Sequence, residues 1–79
     1  MYLIIRVNQN GDSYIPFHSI SKARERFAAL VEDDHSDDAI FLVKAFDGEE
    51  FGIDQNNYIY GGAEFIDHEI FNLYYYERN

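Results

Sequence analysis

Ala39-Ile40-Phe41-Leu42-Val43-Lys44-Ala45-Phe46 is apolar at every position but Lys44. A strand with one face in water alternates apolar and polar residues, whereas a strand covered on both faces does not. This run therefore predicts a strand in the middle of a sheet, and the rest of the chain has to supply its neighbours and its two coverings.

Upstream, Tyr2 to Val7 is β-branched and apolar and is followed by Asn10-Gly11, the dipeptide that a two-residue hairpin turn favours because both turn positions need positive φ. With Asn10 and Gly11 as the turn, Val7 lies opposite Tyr14 and Ile5 opposite Pro16, and Leu3, Ile5 and Val7 share one face. Pro16 has no N–H to donate, so the second strand, Ser13 to Phe17, is expected to be an edge strand or to end there. Between this hairpin and the apolar run, Ile20, Ala23, Phe27, Leu30 and Val31 form a helical stripe. The spacing predicts a helix over 20–32, capped by Ser19 or Ser21, with Lys22, Arg24, Glu25 and Arg26 towards solvent. Glu32-Asp33-Asp34-His35-Ser36-Asp37-Asp38 opposes the macrodipole at a helix C-terminus and reads as an exposed acidic loop.

Downstream, Asp47-Gly48 is a second hairpin signal, leading to a short strand at Phe51 to Ile53. Gln55-Asn56-Asn57 is a polar turn before Tyr58-Ile59-Tyr60, and Gly61-Gly62 breaks the chain again. Ala63, Ile66, Ile70 and Leu73 fit a helical stripe, while Phe71 to Tyr76 is rich in strand-favouring aromatics. The expectation is a strand over 70–76 after an irregular or helical turn at 63–68. The whole, residues 1–79, reads as a single α+β domain: an antiparallel sheet of four to five strands with one helix packed on it, in the order β-β-α-β-β-β.

Composition narrows the functions such a domain can carry. Seventy-nine residues bury only about 60% of the unfolded chain's surface, which leaves little room for both a core and a deep catalytic pocket. With 47% hydrophobic residues, among them seven Phe and seven Tyr, the chain is nevertheless too apolar to stay disordered. The absence of cysteine removes disulfides and thiolate metal sites, and fits a reducing, cytoplasmic setting. The opening residues lack signal-peptide character, and no apolar run reaches membrane-spanning length, so no membrane association is expected.

No catalytic constellation emerges. Ser13, Ser19, Ser21 and Ser36 lie outside any glycine-framed elbow, and adjacent acids in turns do not give two carboxyl groups in distinct environments facing a cleft. His18, His35 and His68 lack the i, i+4 spacing of a helical zinc pair, and the 33–38 run has neither the glycine nor the terminal glutamate of a calcium loop. A non-enzymatic protein without metal or cofactor is expected.

Charge is the informative property. Residues 1–31 carry two carboxylates against four basic groups, a balance of +2; residues 32–79 carry thirteen against Lys44 and Arg78, a balance of −11, and together these give −9. Such a surface repels nucleic acid, so Tyr58, Tyr60, Tyr74, Tyr75 and Tyr76 are not expected to stack bases directly. It attracts proteins whose working surface is basic. The expected partner-binding residues are Glu32, Asp33, Asp34, Asp37 and Asp38 in the loop and Asp47, Glu49 and Glu50 in the turn, with Tyr58 and Tyr60 as anchors. The same charge could also do no more than keep a small domain soluble.

Leu3-Ile4-Ile5-Arg6-Val7-Asn8-Gln9-Asn10-Gly11-Asp12-Ser13-Tyr14-Ile15, followed by a short amphipathic helix and an acidic loop, resembles the hairpin-plus-helix portion of small acidic phage-encoded anti-CRISPR proteins that inhibit Cas9. The resemblance covers about fifteen residues closely and ends after residue 38. It implies a phage-type inhibitor that mimics DNA and occupies a basic nucleic-acid-handling protein, such as a CRISPR effector or a nuclease, in the host cytoplasm. The alternative is a plain protein–protein interaction module whose tyrosine-rich strands form the contact, in a homodimer for example.

Overall fold

In chain order the elements are β1 (Tyr2–Asn8), β2 (Gly11–Phe17), α1 (Ile20–Asp33), β3 (Ala39–Ala45), β4 (Phe51–Ile53), β5 (Ile59–Gly61) and β6 (Ala63–Ile70). The computed structural model describes residues 1–8, 11–33, 38–53 and 59–71. Asn10, Asp34, Asp37, Tyr58 and the tyrosines of 74–76 lie outside the described residues.

The apolar run sits where its composition predicts. In the main sheet, of order β2-β1-β3-β6 and antiparallel throughout, β3 is an inner strand, and Ala39, Ile40, Phe41, Leu42 and Val43 are each 0% exposed. Two coverings account for this. On one face α1 packs Ala23, Phe27 and Leu30 against Ile4, Ile40 and Leu42. On the other, the two-stranded sheet β4-β5 lays Phe51, Ile53 and Ile59 over a cluster that includes Ile5, Phe41 and Val43. The α+β class and the single helix on an antiparallel sheet are as expected, with the strands that follow α1 divided between the two sheets.

Local chemistry explains most boundaries. Ser19 caps α1: its Oγ accepts from the Lys22 N–H at 3.5 Å and lies 2.9 Å from Ser21 Oγ. The apolar stripe faces the sheet, and Lys22, Arg24, Glu25 and Arg26 are exposed, as the periodicity predicts. β2 is an edge strand, which accommodates Pro16.

Three expectations are corrected. First, the hairpin register differs: Asn8 pairs with Gly11, so Gly11 already belongs to β2, Ile5 faces Tyr14 and Leu3 faces Pro16. The two-residue displacement matches the period of a strand, so Leu3, Ile5 and Val7 still share a face. Second, Asp47-Gly48 does turn the chain, with Gly48 at φ 76, but β4 pairs with β5 and not with β3. The turn lifts the chain from the main sheet onto its second face instead of closing a hairpin.

Third, residues 63–70 form one continuous strand where an irregular or helical turn was expected at 63–68, and residues 72–76 of the strand expected over 70–76 lie outside the described residues. β6 pairs with β3 along its length, but the register shifts between Leu42 and Val43, which face Asp67 and Phe65. Ile66 is the extra residue of a β-bulge, and it packs against the α1-side core. Ala63, Ile66 and Ile70 stand three and four apart in the sequence, the spacing of a helical stripe, but in the bulged strand Ile66 packs against the α1-side core and Ile70 against the opposite one.

Candidate functional site

The position of the carboxylates decides whether the acidic half of the chain can act as one surface. Asp38, from the expected loop, and the expected turn lie at opposite ends of β3, whose six residue steps span about 20 Å. Asp34 and Asp37 lie outside the described residues. At one end α1 finishes with the exposed Glu32 and with Asp33. At the other, Asp47, Glu49 and Glu50 are exposed on the turn that leads to β4. The Gly62 N–H donates to the Glu50 carbonyl at 2.9 Å, which ties this turn to the start of β6.

Asp38 is not part of an exposed loop. It is 7% exposed, its N–H donates to the Val7 carbonyl at 2.7 Å, and its carbonyl accepts from the Phe71 N–H at 2.9 Å. The ladder of β3 thus continues one residue upstream of the strand, which withdraws Asp38 from a partner's reach and makes it part of the scaffold. Tyr60 is 62% exposed and overhangs the second face of the sheet, above the β1 side.

Residues outside the expected set join the two ends. Glu64, Asp67 and Glu69 are exposed on β6, the edge strand, opposite Lys44, Leu42 and Ile40 respectively. Leu42 and Ile40 belong to the core under α1, so these three carboxylates line the α1 side of the edge. The Asp67 Oδ1 accepts from the His68 N–H at 2.8 Å, which holds that carboxylate in place. Between α1 and β6 runs a groove of about 340 Å³ whose floor includes Phe27, Val31 and Leu42, with Glu32, Asp67 and Glu69 against Arg24 among its polar lining. Glu49, Glu50, Glu64, Asp67, Glu69 and Glu32 therefore follow the edge from one end of the sheet to the other.

The signal for Asp67 and Glu69 was the i, i+2 spacing, which puts both on one face once 63–70 is read as a strand. Glu64 breaks that spacing because the bulge intervenes. A free strand edge invites pairing with another chain, and carboxylates and a bulge are two of the devices that discourage it. Among the described residues no group of three or more His, Asp or Glu is placed to hold a metal ion, and no helix is long and apolar enough to cross a membrane. Comparison with protein-family models, curated proteins and solved structures returns no match to this chain.

Proposed function

We propose that this chain is a non-enzymatic, phage-type inhibitor that occupies the nucleic-acid-binding surface of a basic host protein, a CRISPR effector or a nuclease, in the host cytoplasm. The observation that carries the reading is the row of exposed carboxylates along β6 and its ends. The eight residues of β6 span about 24 Å, over which one strand of duplex DNA presents about seven phosphates. Six carboxylates, those of Glu32, Glu49, Glu50, Glu64, Asp67 and Glu69, border this length, a comparable density on a rigid support. Lysines and arginines that bind phosphate oxygens can pair with carboxylate oxygens by the same charge-assisted hydrogen bonds. The local resemblance of residues 3–15 to anti-CRISPR proteins points to the same class of target.

The test is capture of heparin-binding proteins from a bacterial lysate on the immobilised chain, followed by elution with duplex DNA. Nucleic-acid-binding proteins should be retained and displaced by DNA, and retention should fall steeply between about 0.05 and 0.3 M salt. A variant carrying Glu64→Gln, Asp67→Asn and Glu69→Gln should lose most of this retention. Equal recovery by the variant, or captured proteins that DNA does not displace, would overturn the reading and favour a contact carried by apolar and tyrosine side chains.

A further inference from the structure

A second concavity lies on the face of the sheet away from α1. It is a cleft of about 440 Å³ whose floor is Leu3, Ile5 and Val7 of β1. That is within the size range of ligand pockets, roughly 300 to 1,000 Å³. Asp12 and Tyr14 flank it on β2, in register with Val7 and Ile5, and β4 forms the opposite wall with all three of its residues. Tyr60 reaches across Gly52, where a Cβ would lie 2.2 Å from the tyrosine hydroxyl, and covers the rim.

Three features define what fits. Tyr14 and Tyr60 are 57% and 62% exposed, and neither makes a ring contact with another described aromatic, so each offers ring surface to a ligand. Asp12 is the only Asp, Glu, Lys, Arg or His among the lining residues, is exposed, and has no hydrogen-bond or ion-pair partner among the described residues. β4 pairs with β5 along one edge and carries no strand on the other among the described residues, and it is β4 that lines the cleft.

We infer that this cleft binds an arginine side chain presented by an extended segment of a partner polypeptide. Aromatic faces and a carboxylate attract a cation and repel an anion. A guanidinium suits them better than an ammonium, because it is planar, weakly hydrated, able to stack on tyrosine and able to meet Asp12 with two parallel hydrogen bonds. The aliphatic stem of arginine covers the apolar floor. The open edge of β4 offers N–H and C=O groups to the backbone that carries the arginine, as in strand addition. This site lies on the face opposite the carboxylate row, and its existence does not depend on the function proposed above.

The experiment is a titration of the full chain, followed by amide NMR shifts, with acetyl-Gly-Arg-Gly-amide, its citrulline and lysine counterparts, and ethylguanidinium. The arginine peptide should shift the amides of Val7, Asp12, Tyr14 and Gly52 and saturate with a dissociation constant on the order of 1 mM. Lysine should bind more weakly and citrulline, the neutral isostere, should not bind at these residues. Asp12→Asn should weaken the arginine peptide about tenfold, equivalent to about 1.4 kcal/mol, while leaving the rest of the spectrum in place. The triple β6 variant should bind it as the unaltered chain does, which separates failure here from failure of the edge reading. Equal binding of citrulline, or shifts confined to β6, would overturn the inference. Ethylguanidinium binding as tightly as the peptide would overturn the polypeptide source.

Discussion

Gly52 and Gly61 show how differently two glycines in one small hairpin are used. At Gly61 φ is 85, and an added Cβ would lie 2.3 Å from the Glu50 carbonyl oxygen and 3.0 Å from the Phe51 Cα. Both obstacles are backbone and cannot move without displacing β4. At Gly52 the obstacle is the outer part of the Tyr60 ring, which is well exposed and free to swing aside. Gly61→Ala should therefore cost about 2 kcal/mol or more in urea denaturation, from left-handed backbone strain plus the clash. Gly52→Ala should cost less than about 1 kcal/mol, while moving Tyr60 off the cleft. Similar losses at both positions would mean that Tyr60 is held more firmly than its exposure indicates.

β6 is where the sequence misleads and where the candidate surface lies, for one and the same reason. Its bulge places Ile66 and Asp67 both on the α1 side, so the strand neither alternates as a regular strand does nor keeps a helical stripe. β3 is the opposite: only Lys44 interrupts its apolar run, both coverings follow, and its boundaries are legible to within a residue. The carboxylates of β6 also guard an edge. Neutralising Glu64, Asp67 and Glu69 together should increase self-association in sedimentation velocity relative to the unaltered chain, because an uncharged edge can pair with another. Unchanged sedimentation would show that the bulge alone is sufficient protection.

For the whole molecule, with a radius of gyration of 12.1 Å and extents of 32 × 27 × 19 Å, the net charge of −9 is confined to a small volume. Like charges at these separations repel, and salt shortens their reach to about 8 Å at physiological strength. The melting temperature should rise as salt increases from about 0.01 to 0.5 M, whereas binding to a basic partner should weaken over the same range. A melting temperature that falls with salt would mean that attractive ion pairs outweigh the repulsion. The opposed salt responses of folding and binding are the signature expected of charge placed for recognition at a cost to stability.

Local chemistry alone sets several features of this chain. The inner strand follows from an apolar run broken only by Lys44, the helix from its stripe and from Ser19, and the edge position of β2 from Pro16 and its missing donor. The −11 of the second half is likewise a property of composition alone. Where that charge goes depends on the fold, because distance between residues far apart in sequence is set by strand pairing and direction. β3 holds Asp38 and the turn at 47–50 about 20 Å apart. The ladder drew Asp38 into the interior. A bulged strand, whose pattern no single period describes, set Glu64, Asp67 and Glu69 between the two ends.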